Sequence, residues 1–183
     1  MKISQEFVVA RDPDTVWAHF QDIPSVARCL PGAQLLGQTD DGSYEGKLSA
    51  KLGPMTAAFE GTATVTADPA SRSARIEGKG VDRQGGSRGQ VVVDYRLAAD
   101  GSGTKVTVDA DVTLSGPAAQ FGRTGLINEM SRRLIADFVQ CLEASLSAAT
   151  PEEAAAVAAP EVRGFRLLFS ALWAWIRKLF HKG

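Results

Sequence analysis

Tyr44-Glu-Gly-Lys-Leu-Ser-Ala-Lys-Leu52 sets Tyr44, Gly46, Leu48, Ala50 and Leu52 on one side of an extended chain and Glu45, Lys47, Ser49 and Lys51 on the other. A period of two marks a strand with one apolar face and one wet face. The alternation returns three times downstream. Met55, Ala57, Phe59, Gly61, Ala63 and Val65 alternate with Thr56, Glu60, Thr62 and Thr64. Val91, Val93, Tyr95 and Leu97 alternate with Gln90, Asp94 and Arg96, and Val106, Val108, Ala110, Val112 and Leu114 with Lys105, Thr107, Asp109 and Asp111. Gly53-Pro54, Asp68-Pro69, Gln84-Gly85-Gly86-Ser87 and Asp100-Gly-Ser-Gly103 supply turns. The pattern predicts an antiparallel meander with one face toward a core.

The flanks complete the architecture. Lys2 to Ala10 reads as a first strand. Asp12-Pro13-Asp14-Thr15 starts a helix, with Asp as N-cap, Pro at the first position, and an apolar stripe from Val16, Trp17 and Phe20. A second short helix runs from about Ile23-Pro24 to Cys29-Leu30 and stops at Pro31-Gly32. A long helix is predicted from near Gly116-Pro117 to about Ser147, its apolar face formed by Ile127, Met130, Leu134, Phe138 and Leu142. One strand, two short helices, about six strands and a long helix make an α+β fold: a curved antiparallel sheet with the helix laid across its concave side. Gly46, Gly61, Ala63, Gly78, Gly80 and Ala110 fall on inward positions. Small residues there are expected to leave a hydrophobic cavity between sheet and helix. The competing reading is that the helix sits closer or that these glycines mark bulges and bends.

Several segments carry a resemblance. Asp14-Thr-Val-Trp17, Cys29-Leu-Pro-Gly-Ala33, Tyr44-Glu-Gly-Lys-Leu48, Lys51-Leu-Gly-Pro54, Phe59-Glu-Gly61, Gly78-Lys-Gly80 and Leu114-Ser-Gly-Pro-Ala-Ala-Gln-Phe-Gly122 together resemble the carbon monoxide dehydrogenase G-subunit (CoxG) family. That family lies within the START-like superfamily of helix-grip folds, also called SRPBCC. The resemblance covers residues 1–146, which it implies are one START-like domain. It implies a role in bringing a molybdenum hydroxylase of the carbon monoxide dehydrogenase type to the membrane. It further implies binding of a lipophilic small molecule, a respiratory quinone or a lipid, with no covalent cofactor. The other readings are an assembly or maturation factor for the molybdenum enzyme, and a START-like enzyme acting on a hydrophobic substrate.

For such a ligand the apolar wall is expected to come from Phe20, Leu30, Leu48, Phe59, Val93, Tyr95, Phe121, Ile127, Met130, Leu134 and Phe138. Each is equally readable as core. Tyr95 is the expected polar tip, because a phenol can donate to a quinone oxygen. Catalytic residues are not expected. His19 and His181 are the chain's two histidines, and no His or Cys spacing suits a metal. Gly78-Lys-Gly80 and Gly101-Ser-Gly-Thr-Lys105 contain pieces of phosphate loops but lie between β-patterned segments, where hairpin turns are the simpler assignment. Cys29 and Cys141 are isolated in sequence. Two buried thiols in a reducing compartment is the simpler reading, with a disulfide left open.

Residues 147–162, Ala/Pro/Glu-rich, are read as a flexible linker with little to bury. Residues 163–183 read as an amphipathic helix. Phe165, Leu168, Phe169, Leu172, Ile176, Leu179 and Phe180 fall on one side, with Arg163, Arg166, Ser170, Arg177, Lys178 and His181 opposite and Trp173 and Trp175 at the two edges. The uncharged run Leu167–Ile176 is short for a span, which needs about 20 residues. An in-plane helix on an anionic surface fits better than a span or a helix docked on protein. Five cations against Glu161 give the tail +4; with a net charge of −1 for the chain, −5 remains for the rest. An acidic body on a basic tail argues against nucleic acid as partner and for an anionic bilayer. No signal-peptide pattern opens the chain, so the expected place is the cytoplasmic face of the cell membrane, held peripherally.

Overall fold

The computed structural model describes residues 1–159 apart from 53–54, 124–125 and 149. The tail helix predicted over 163–183 lies outside the described residues. So does the last part of the predicted linker. The described elements are β1 (Lys2–Val9), α1 (Pro13–Gln21), α2 (Ile23–Cys29), β2 (Ala33–Gln38), β3 (Tyr44–Leu52), β4 (Met55–Asp68), β5 (Ser73–Asp82), β6 (Ser87–Asp100), β7 (Gly103–Ser115), a 3-10 segment (Gly116–Arg123), α3 (Leu126–Ser147) and α4 (Pro151–Ala156).

The strands form one curved antiparallel sheet in the order β1-β7-β6-β5-β4-β3-β2. Each of β2 to β7 pairs with its chain neighbour, as turns of the observed lengths require. β1 instead closes beside β7, with Ile3 opposite Ala110 and Phe7 opposite Val106. The side with the charged residues is ruled by exposed ion pairs, among them Lys47–Glu60 at 2.6 Å, Lys105–Glu6 at 3.0 Å and Arg75–Asp94 at 3.1 Å. Exposed pairs of this kind add little stability; what they establish is which face is wet.

The helix starts form as the sequence predicts. The Asp12 carboxylate accepts from the amides of Asp14 and Thr15, and Asp22 accepts from the Ser25 amide at the head of α2. Each cap contributes about 1 kcal/mol. The long helix differs from expectation at its start. Gly116 to Arg123 is 3-10, and the α-helix begins at Leu126. Gly116, at φ +73°, packs against the Gly86 carbonyl, and a glycine at 122 weakens helix propagation.

Two expectations are corrected. Cys29 and Cys141 are not separate thiols: they form a disulfide with Cα atoms 5.3 Å apart. It joins the end of α2 to the middle of α3 inside the core, where Cys29 is 1% exposed and Cys141 4%. Their 112-residue separation hides the contact from any local spacing rule. The predicted flexible linker has defined structure over its described part. Thr150 caps α4 through the Glu153 amide, Val157 packs on the core, and the Ala159 amide donates to the Arg28 carbonyl at 2.9 Å. A six-residue Ala-rich helix is marginal alone; the cap and the Val157 contact hold it.

Candidate functional site

The inward face of the sheet carries two packed regions rather than one. The larger contains Val9, Val16, Phe20, Cys29, Tyr95, Leu97, Val106, Phe138, Cys141 and Leu142, with Leu30, Val65, Ile76 and Val108 against it. Its aromatic centre is tight. Phe20 lies 5.2 Å from Tyr95 and 6.0 Å edge-on from Phe138, and Phe7 lies 6.2 Å from Phe138 (ring centres). The smaller region is Ala57 and Ala118, with Ala50, Phe59, Leu114 and Met130.

Strand register shows what lies between. Gly46, Gly61, Gly80 and Gly89 are successive cross-strand partners, a row of four glycines. This row is a crease, not the floor of a hollow. A Cβ on Gly61 would stand 2.6 Å from the Gly80 Cα, so the two backbones approach as only glycine permits. Phe59 lies over the rest: its Cβ is 3.2 Å from a Cβ built on Gly80, and its ring is 3.5 Å from one built on Gly89. For these glycines the bend explains the small residues, and the cavity reading is corrected.

The next row is different. Tyr44, Ala63, Gly78, Val91 and Val112 are successive partners, and all are partly exposed. Among the described residues, none of them packs into either region. Among the described residues, the nearest side-chain atoms to a Cβ on Gly78 are Val91 Cγ1 at 3.0 Å and Ala63 Cβ at 3.9 Å, both of the sheet. Val93 and Ala110, one row on, are also partly exposed and outside both regions. The result is an apolar strip, reachable by solvent, between two closed cores.

The expected wall residues are distributed accordingly. Phe20, Leu30, Tyr95 and Phe138 sit in the larger core, Phe59 and Met130 in the smaller. Val93 and Leu134 are partly exposed and belong to neither. Leu48 is on the inward face yet 43% exposed. The side chains of Phe121 and Ile127 lie outside the described residues. Tyr95 pairs with the Gln21 side chain, and burial pushes its phenol above the usual range. Tyr44, at the end of the open strip, is a second phenol on the inward face that the sequence reading did not single out. Its alternation with Gly46 was visible; its alignment with Gly78 and Val91 depends on cross-strand register.

Of the buried carboxylates among the described residues, Asp82 serves the backbone. Asp82 is 3% exposed and accepts from the amides of Gln84 and Gly85. His19 is held below its usual pKa by burial, with Asp22 opposing and Arg28 adding to the effect. No group of metal ligands occurs among the described residues. Two surface hollows are present among the described residues, the larger also touching Val91 and Ala110. One of about 170 Å³ is bounded by Ala10, Arg11, Glu143 and Ser147; one of about 460 Å³ includes Ser4, Arg75, Asp94 and Asp109. Among the described residues no helix is long and apolar enough to cross a membrane.

A bent antiparallel sheet packed against one long helix is the helix-grip fold of START-like proteins. Solved structures agree. A conserved protein from Geobacillus kaustophilus superposes with a TM-score of 0.67 at 15% identity, covering 80% of this chain and 95% of its own. The Zhui aromatase/cyclase from Streptomyces sp. R1128 gives 0.52 at 16% identity, covering 81% and 97%. A START superfamily protein from Mycobacterium smegmatis gives 0.50 at 17% identity, covering 78% and 94%. At these identities the likeness shows the fold alone. A search of curated protein sequences found no match. Within that class the chain belongs to the carbon monoxide dehydrogenase G-subunit (CoxG) family, whose sequence profile matches residues 6–147.

Proposed function

We propose that this protein is a non-enzymatic carrier and recruitment factor. It takes a hydrophobic small molecule into the strip between its two cores and brings a molybdenum hydroxylase of the carbon monoxide dehydrogenase type to the cytoplasmic face of the membrane. The observation that carries the first part is the row Tyr44, Ala63, Gly78, Val91 and Val112, apolar but in neither core. Apolar surface left partly wet between packed regions gains about 25 cal/mol per Å² when a ligand covers it. A flat lipophilic ring, as in a respiratory quinone, suits a strip walled on one side by Phe59 and Met130. Tyr44 rather than Tyr95 is the donor for its oxygen, since Gln21 already engages Tyr95. Family membership supports the enzyme partner. The amphipathic pattern of residues 163–183, centred on Phe165, Leu172, Trp173 and Ile176 with Arg166, Arg177 and Lys178 opposite, supports the membrane partner.

The carrier reading is preferred to catalysis because Asp82, the buried carboxylate among the described residues, is engaged by turn amides. Extraction of the protein purified from native membranes, followed by mass spectrometry of the extract, tests it. A stoichiometric quinone or lipid is expected. Protein free of lipid that still binds the molybdenum enzyme tightly would replace the carrier reading with an assembly role. Removal of residues 161–183 is expected to abolish co-sedimentation with anionic liposomes, and unchanged co-sedimentation refutes the membrane role of the tail.

A further inference from the structure

The chain leading to the tail is fastened to one particular place. Val157 packs against the larger core, and the Ala159 amide donates to the Arg28 carbonyl in the last turn of α2. Three residues, 160–162, separate that anchor from the start of the amphipathic stretch. Fully extended they reach about 11 Å. Whatever surface receives residues 164–180 therefore lies close to α2.

The protein surface at that place is unusual in charge. Charged residues make up 22% of the chain, yet residues 23–39, which form α2, the following turn and edge strand β2, contain one, Arg28. No carboxylate occurs in that stretch. α2 and β2 contact each other, so the stretch forms one continuous rim. Ser25 and Cys29 point inward, Pro24 is exposed, and Leu36 is 52% exposed. Elsewhere the accessible surface is rich in carboxylates: Glu60, Glu77, Asp94, Asp109 and Asp111 all face out from the sheet. That face also carries Lys47, Arg75, Lys79 and Lys105, so contact there would desolvate paired charges of both signs, whereas the rim presents no carboxylate to the bilayer.

We infer that the α2–β2 rim is the surface the folded domain lays against an anionic lipid bilayer, with Leu36 and Pro24 at headgroup depth beside the tail. This rests on the reading that residues 164–180 bind the membrane. The tail root fixes the nearby edge, and the missing carboxylates remove the electrostatic barrier to contact.

The full chain carrying Leu36→Glu, and separately Val81→Glu, tests this on vesicles of phosphatidylcholine and phosphatidylglycerol. Val81 is 40% exposed on the sheet's outer face, so both substitutions add one carboxylate at an exposed site; circular dichroism confirms that each variant folds. Leu36→Glu is expected to weaken binding about fivefold, the effect of one charge at an anionic leaflet. Val81→Glu is expected to stay within about twofold of the parent, since a charge beyond a Debye length is screened. Hydrogen exchange on the parent with vesicles should slow amides 33–38 and leave those of β5 unchanged. If the parent binds but the two variants weaken equally, or neither weakens, the rim is not the contact and the tail reading stands. If the parent does not bind at all, both fall.

Discussion

Replacing Gly61 with alanine separates a crease from a hollow. Were the glycine row the floor of a cavity, a methyl there would enter open space and be harmless. In the structure it meets backbone, with the Gly80 Cα at 2.6 Å and the Lys79 carbonyl oxygen closer still. Those atoms belong to β5, which is paired with β4 over its whole length and cannot rotate away as a side chain could. Overpacking a filled site costs about 1–3 kcal/mol. Forcing β4 from β5 also weakens one or two ladder hydrogen bonds, at about 1 kcal/mol each. The expected loss is about 3–4 kcal/mol, which for a chain of this size lowers Tm by roughly 6–16 °C. Gly37→Ala is the matched control: nothing lies within 4 Å of its added Cβ. It should be neutral or gain about 0.4–1 kcal/mol through the unfolded chain. Urea unfolding of both variants measures the difference. Gly61→Ala within 1 kcal/mol of Gly37→Ala would show that β4 and β5 do not approach as described.

Other consequences can be checked alongside. Replacing both Cys29 and Cys141 with alanine should cost about 2–4 kcal/mol by calorimetry, because the bond closes a long loop; an unchanged melting curve would mean the thiols are unpaired in solution. Ala63→Phe, which adds a ring beside Gly78 in the open strip, should leave the fold intact and greatly reduce co-purifying lipid; equal lipid content moves the ligand elsewhere. Burial holds the His19 pKa below its usual value, so the unfolded chain takes up a proton first as pH falls. His19 therefore contributes stability in full above the unfolded imidazole value, about 6.5, and loses it as pH falls through that value. His19→Gln should flatten the stability profile there, and a profile of unchanged slope refutes the assignment. Asp22 works at lower pH. The Ser25 hydroxyl holds its carboxyl below the usual range, so its stabilisation is present above the unfolded carboxylate value and is lost as pH falls through the folded one. Asp22→Asn should remove that acid limb in a pH-melting series.

The strands were legible because one face of the sheet is wet: Glu45, Lys47 and Thr62 had to alternate with Leu48, Gly61 and Ala63, and nothing else accounts for that period. The helix starts at Asp12 and Asp22 were legible because a cap is a local event. The partition of the inward face was not. Phe59, Val93 and Phe138 look alike as apolar residues, and only register and helix placement send them to a small core, an open strip and a large core. The glycines were ambiguous for a related reason: a missing side chain fits empty space and close backbone approach equally, and at Gly61 it is the close approach. The disulfide and the Ala159–Arg28 bond join segments more than a hundred residues apart, beyond the reach of any spacing rule.

The Cys29–Cys141 bond makes the chain a covalent ring with two arms. Residues 30–140, including β2 through β7, form the ring. Residues 1–28 and 142–159 are the arms, and they meet on one side, where Arg11 Nη2 donates to Ser147 Oγ at 3.1 Å and Ala159 to Arg28. A protease that cuts any turn of the ring leaves both pieces tied together, running as one band until a reductant is added. A cut between Ser147 and Ala159 sheds the tail and leaves the ring whole. Proteolytic release of the body from whatever its tail holds thus has a single route, through the C-terminal arm.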